Sequence, residues 1–203
     1  MSMPSNPTDL PRCHWCPTAD ELYTAYHDQE WGVPERDGQA LFAKLILDGA
    51  QAGLSWRTIL YKRERYYEVF ENFDVPTLAK WDEAKVAQAL LDPGIVRNRL
   101  KVNAVVKNAR AVLQHYDGDL GAFAVRLWSF VGGNPLQAPG DFQARTAESD
   151  AMSKALQKQG FTFVGSTICY AFMQAVGMVN DHAPDCFRRK EVEALGRKFK
   201  PVK

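Results

Sequence analysis

Apolar residues along this chain recur every three to four positions, the period of helices that bury one face. Leu41, Phe42, Leu45 and Ile46 fall on one face, and Ile59, Tyr66, Val69, Phe70 and Phe73 continue the pattern. The same spacing runs through residues 86–91, 100–113, 123–131, 152–156 and 168–178. Strict alternation is nearly absent, and Phe161-Thr162-Phe163-Val164 is the best strand-like fragment. Breakers separate the runs: Gly32-Val33-Pro34, Asp92-Pro93-Gly94, Gly132-Gly133-Asn134-Pro135 and Ala138-Pro139-Gly140. The pattern predicts an all-α fold of roughly eight short helices. An irregular loop is expected over 132–145, joining two helical lobes. Residues 1–12, with three prolines and no apolar period, read as a flexible tail. Residues 13–187 read as a single domain, and 188–203 as a basic C-terminal helix or tail.

Composition changes little in this picture. The chain has 203 residues, 46% of them hydrophobic, enough for one core. A formal net charge of +1 argues neither for nor against nucleic acid, because binding needs a local patch. No apolar run reaches the length of a membrane span, and the N-terminus lacks an apolar signal core. A cytoplasmic location is therefore expected, where four unevenly spaced cysteines stay reduced.

In that setting cysteine together with histidine reads as metal binding before disulfide. His182 and Cys186 have the i, i+4 spacing that lets two ligands meet one ion, and Cys13, Cys16 and His27 lie near the other end. A tetrahedral zinc site needs four ligands, and drawing a pair from each end would clip the chain termini together. Two sets remain open on spacing alone: Cys13 and Cys16, or Cys13 and His27, with His182 and Cys186. Ordinary buried cysteines and histidines are an equal alternative. Cys169 lies in a strongly apolar helix pattern and reads as core.

Three long segments resemble a known family in their order: Tyr23-Thr24-Ala25-Tyr26-His27-Asp28-Gln29-Glu30-Trp31-Gly32-Val33-Pro34, then Gln51-Ala52-Gly53-Leu54-Ser55-Trp56, then Phe161 to Tyr170 followed by Asn180-Asp181-His182. They are similar to the DNA-3-methyladenine glycosylase I family of the helix-hairpin-helix glycosylase superfamily, across about residues 13 to 186. The resemblance implies one structural Zn²⁺ on Cys13, His27, His182 and Cys186, leaving Cys16 as a spare. Four protein ligands leave no position for a catalytic water.

Further expectations follow from the resemblance. Gly160, Phe163, Gly165, Ser166 and Thr167 would form the hairpin that grips DNA phosphate through backbone N–H groups. Arg97, Arg99, Lys101, Lys107 and Arg110, five cations in a stretch without an acid, form a second candidate DNA face. Trp15, Tyr23, Tyr26 and Trp56 match positions associated with a pocket for a flipped base. Stacking and cation–π attraction suit a flat, cationic ring. Asp48 stands where the family carries glutamate, and is the candidate catalytic acid group accepting hydrogen bonds from the adenine edge. An exposed helix-end residue is the bland alternative for Asp48. Asn180 stands near the place where other hairpin glycosylases carry an essential aspartate, so a general base is missing there. Asp181 is open to a role in capping or in orienting a zinc histidine. No lysine occurs in 164–179, where strand-cleaving relatives carry a Schiff-base nucleophile.

These features predict a monofunctional DNA repair hydrolase that excises 3-methyladenine from alkylated double-stranded DNA, acts as a monomer without a membrane, and leaves an abasic site. Broadened alkyl-base specificity, a non-catalytic protein that binds alkylated DNA, and an unrelated zinc hydrolase are the alternatives.

Overall fold

Helix starts are written into the sequence as short polar side chains, each satisfying a backbone N–H that the first turn leaves unpaired. Asp20 caps α1 (Glu21–Gln29), Asp37 caps α2 (Gly38–Gln51) and Ser55 caps α3 (Trp56–Leu60). After α4 (Arg63–Val69), Asp74 caps α5 (Val75–Ala79) and Asp82 caps α6 (Glu83–Ala89). Asn98 opens α7 (Arg99–Tyr116) and Asp119 opens α8 (Leu120–Ser129). Thr146 and Ser149 cap α9 (Ala147–Lys158) reciprocally. Helices α10 (Ser166–Ala175) and α11 (Phe187–Lys198) complete the series without a side-chain cap. The computed structural model describes residues 10–200.

These are eleven α-helices among the described residues, where the apolar pattern predicted about eight. The difference lies in 56–89, where several helices of five to seven residues follow one another through single turns. Their apolar faces point into one core, so the periods run together in the sequence. The expected tail at 1–12 falls mostly outside the described residues. Its last residue is tied down, with Arg12 forking onto Asp28 (2.7 Å).

Helix α2 is the centre of the fold. It packs against α3, α7, α8 and α10, and ten of its fourteen residues are buried. Phe42, Leu41, Leu45 and Leu47 are almost wholly buried, each contributing ~1.5–3 kcal/mol of apolar transfer. The helix start lies so close to α8 that a Cβ on Gly38 would sit 2.1 Å from the Leu120 carbonyl oxygen.

The strand-like fragment at 161–164 is not a strand. It forms the turn between α9 and α10, with Phe163 at φ +56°. Phe161 and Val164, three residues apart, are buried and anchor the turn. Buried Asn108 of α7 holds it from the other side, accepting from the Thr162 N–H (2.8 Å) and donating to the Thr162 carbonyl (3.1 Å).

Two short parallel strands appear instead at β1 (Leu136–Gln137) and β2 (Val179–Asn180). Otherwise the 132–145 stretch is irregular as expected. The pairing ties this loop to the segment after α10, and the Arg189 guanidinium reinforces it by donating to the Ala138 and His182 carbonyls. No helix among the described residues is long and apolar enough to cross a membrane.

Replacing Asn108 by alanine removes the partner of the half-buried Thr162 backbone N–H and carbonyl. The expected cost is about 2–4 kcal/mol in urea unfolding. An unchanged midpoint would show that this side chain does not hold the turn.

Candidate functional site

Cys13 and His27 from the start of the chain meet His182 and Cys186 from its end. All four are buried, and one ligand atom of each lies within 4.8 Å of the others. Cys13 Sγ and Cys186 Sγ each lie 3.5 Å from His182 Nδ1, and Cys186 Sγ lies 3.6 Å from His27 Nε2. The remaining ring nitrogens face outward to acceptors. His27 Nδ1 is 2.7 Å from the Asp28 carboxylate and His182 Nε2 is 3.1 Å from the Trp31 carbonyl. That arrangement fixes which nitrogen of each ring points inward. The hydrogen bond from Cys13 holds Cys186 well below the ordinary thiol range, with His182 and His27 adding to it. The same hydrogen bond, with burial, pushes Cys13 up. The four side chains form a donor set able to bind a metal ion. Cys16 lies outside it, with its sulfur 4.0 Å from the Thr24 hydroxyl.

Asp28 is a supporting residue that sequence reasoning missed. It bridges His27 and the Arg12 guanidinium, whose hydrogen bonds hold its carboxyl below the usual range despite burial. Asp181 does not orient a histidine. Its carboxylate accepts from the Tyr170 hydroxyl (3.2 Å) and the Gln174 amide (2.7 Å). Asn180 is also occupied, donating to the Gln137 side chain (2.9 Å) and the Arg189 carbonyl (3.0 Å). It stitches β1 and α11 to the centre.

The Cys/His centre backs directly onto aromatic rings. Trp15 meets His27 edge-on at 5.1 Å, and Trp31 meets both Trp15 (4.8 Å) and His182 (4.6 Å). Beyond them opens a cavity of about 240 Å³. Trp15, Tyr23, Tyr26, Trp56 and Asp48, all singled out in the sequence, line this one cavity. So do Lys44, Gln51 and Gln174, together with Phe142 and Gln143 from the loop that β1 anchors. Those last five were not legible as a group, since they converge only through tertiary packing. Tyr23 and Tyr26 stack at 6.3 Å, and Trp56 lies 5.2 Å from Tyr26.

Asp48 is not an exposed helix-end residue. It is 1% exposed in the last turn of α2 and pairs with the Lys44 ammonium one turn earlier. Its second oxygen, Oδ2, has no hydrogen-bond partner, and neither do the indole N–H groups of Trp15 and Trp56. Buried polar atoms left this way at a cavity are available to a ligand. Burial raises the Asp48 carboxyl, and the Lys44 charge works against that shift. Burial likewise lowers Lys44, with Asp48 opposing. Lys44 Nζ stands 4.0 Å over the Trp56 ring. The signal for this pair was present in the sequence: Lys44 and Asp48 are the only charges in the apolar run 41–48 and lie four residues apart.

The hairpin residues do gather at one place. Gly160 takes φ +87°, and Gly165 sits in open space at the start of α10, whose first turn has no side-chain cap. Gly165 and Thr167 are exposed, while Ser166 turns back to bond Asp150 and Ser149 of α9. The basic run of α7 is largely committed elsewhere. Arg99 pairs with Glu83, and Lys101 caps the Ala50 and Ala52 carbonyls at 2.7 Å each. Arg110 donates to the Ala79 and Trp81 carbonyls, both at 2.8 Å. These three cations hold helix ends together. Arg97 and Lys107 are exposed.

Fold and site together define a helical protein with an aromatic pocket that carries a buried charge pair beside a Cys/His centre. Residues 15–189 match the family model described as methyladenine glycosylase, and the chain belongs to that family. It is 49% identical over 182 residues to DNA-3-methyladenine glycosylase 1 of Escherichia coli strain K12, covering 87% of this chain and 96% of that protein. A crystal structure of 3-methyladenine DNA glycosylase I superimposes with a TM-score of 0.83 at 48% identity, covering 87% of this chain and 98% of the other. A Staphylococcus aureus structure, described as the structural basis of 3-methyladenine recognition, gives a TM-score of 0.80 at 34% identity, covering 84% and 92%.

Proposed function

We propose that this protein is a monofunctional DNA glycosylase that hydrolyses the N-glycosidic bond of 3-methyladenine in alkylated duplex DNA. The observation that carries the reading is the buried carboxylate of Asp48 inside an aromatic cavity, with one oxygen unpartnered. A base within a duplex is out of reach, so it must be flipped into such a pocket. Methylation at N3 gives the ring a positive charge. Tyr26 and Trp56 offer π-faces to that charge, and Asp48 offers an acceptor for the adenine edge.

The chemistry then requires little from the protein. A cationic ring is already a good leaving group, because the electron pair of the breaking bond neutralises it. Holding the base and admitting a water to the sugar carbon suffices, which fits the engagement of Asn180 and Asp181 in structural hydrogen bonds. Uncharged bases lack this driving force and stay intact. Lys44 is a lysine in the pocket, but it lies on α2 and not in the 164–179 stretch that carries the nucleophile of strand-cleaving relatives. A Schiff-base route that would cut the strand is not expected.

The turn between α9 and α10 serves as the phosphate-gripping hairpin, with Gly160, Phe163, Gly165, Ser166 and Thr167 shaping it. Backbone N–H groups at the start of α10 meet phosphate without reading sequence. Cys13, His27, His182 and Cys186 would hold one Zn²⁺. Two nitrogen and two sulfur donors, with each histidine's outer nitrogen hydrogen-bonded, suit that ion. Zinc there would tie the two ends of the chain and take no part in bond cleavage. The protein acts as a monomer in the cytoplasm.

The testing experiment is base release. Purified protein is incubated with methylated duplex DNA and the freed bases are separated by chromatography. Dominant 3-methyladenine upholds the reading. Substantial 3-methylguanine would mean a broadened pocket, and binding of damaged DNA without any release would replace the enzyme with a damage-binding protein.

Two variants probe the assignments. Asp48→Asn is expected to slow release at least about tenfold, ~1.4 kcal/mol of barrier, with the circular dichroism spectrum retained. Wild-type rates would remove Asp48 from the pocket. Cys186→Ala is expected to lower zinc content and the melting temperature together, the latter on the order of 10 °C. Full zinc occupancy in that variant would overturn the ligand set.

A further inference from the structure

Lys44 stands on the wall between two cavities. One is the pocket just described, and the other, of about 350 Å³, adjoins it. Lys44, Tyr26, Trp56 and Ala175 line both. The adjoining cavity is also lined by Glu30, Glu35 and Arg63. Glu30 is near enough to favour the Lys44 charge, and Arg63, paired with Glu30 at 2.5 Å, opposes it.

In the structure the ammonium occupies the two features that a cationic base would use. It bonds the Asp48 carboxylate and lies over the face of Trp56. A flat ring stacked on that face cannot share the space with it, although Asp48 Oδ2 stays open to the ring's edge. Displacing the ammonium by a neutral ring would leave a buried carboxylate uncompensated, which is strongly unfavourable. A cationic ring replaces one positive charge by another. The lysine stem is long enough to remain attached at the wall while its head turns to the carboxylates of the second cavity.

We propose that Lys44 is a tethered competitor for the base: it yields Asp48 and the Trp56 face to the cationic lesion, and takes them back when cleavage leaves the base neutral. This rests on the glycosylase reading, since it follows the charge through that reaction. As the bond between sugar carbon and ring nitrogen breaks, its electron pair passes to the ring, and the positive ring becomes neutral 3-methyladenine. The sugar carbon takes hydroxide from water, and the remaining proton goes to solvent. The ring has then lost the charge that held it against Lys44, and the ammonium returns and expels it. Lys44 thereby assigns the pocket two affinities, one for the charged lesion and a weaker one for the product.

The test measures binding of free, neutral 3-methyladenine by tryptophan fluorescence and its inhibition constant for base release, in the unsubstituted protein and in Lys44→Met. The proposal expects the variant to bind the free base about tenfold more tightly, with the inhibition constant falling in parallel. A side chain that merely supports the pocket would show the opposite sign, because its loss would loosen binding. Unchanged or weaker binding in the variant overturns the proposal. A structure of the unsubstituted protein with 3,9-dimethyladeninium, a permanent cation, tests it independently of the variant's folding. Lys44 Nζ is expected in the second cavity, and an ammonium still on Asp48 beside the bound cation overturns the idea. Base release from methylated DNA by the unsubstituted protein separates the two readings. If it fails, the glycosylase reading falls; if it succeeds while Lys44→Met binds no more tightly, only the role of Lys44 falls.

Discussion

The convergence of Cys13, His27, His182 and Cys186 is the constraint on which the rest of the site depends. Residues 13 and 186 come from opposite ends of the described chain, and the Phe187 N–H ties the same two segments by donating to the Pro11 carbonyl (2.9 Å). The segment carrying Cys13 also carries Trp15, and α1 carries Tyr23, Tyr26 and His27 on a single short helix. The segment carrying His182 continues from α10, which contributes Gln174 to the pocket. Bringing the four side chains together therefore sets the walls of the cavity as well as closing the chain. Trp31 makes the coupling physical: its carbonyl accepts from His182 while its ring packs on both His182 and Trp15. A shift of these four Cys and His side chains would move the aromatic wall with them.

The pocket depends just as strongly on α2, for a different reason. A helix buried on most of its surface has no solvent-facing side on which to place charges. Lys44 and Asp48 are tolerated there only because they satisfy each other. Burying the pair costs more than an apolar pair of similar size would. Such a cost without a structural gain points to use, and the cavity beside the pair supplies it.

Much of this architecture was legible in the sequence, and the failures are instructive. Helical period and polar caps identified an all-α fold, because both signals are local. The five pocket residues named in the sequence do line one cavity, but resemblance rather than periodicity pointed to them. Trp15 or Tyr26 alone looks like any core aromatic. The strands at 136–137 and 179–180 were invisible, since two residues carry no period. The fragment 161–164 misled because it is a turn, with Phe161 and Val164, three residues apart, buried beneath it. The basic run on α7 misled in another way. Charge along a sequence says nothing about nearby carbonyls, and Lys101 and Arg110 are consumed by the ends of α2 and α5.

That last failure bears on how the protein would meet DNA. With three of the five cations of 97–110 committed, electrostatic attraction from that face is modest, and the overall charge is close to neutral. The start of α10, with an exposed glycine and no side-chain cap, is the proposed contact to phosphate. Backbone contacts of this kind hold DNA in register without discriminating sequence. Discrimination must therefore arise after flipping, inside the pocket, where charge on the base is the property that distinguishes a lesion from its surroundings. A site built to weigh one positive charge needs a buried anion, an aromatic face and a reason to release the product once the charge is gone. Asp48 and Trp56 supply the first two, and the position of Lys44 between the two cavities supplies the third.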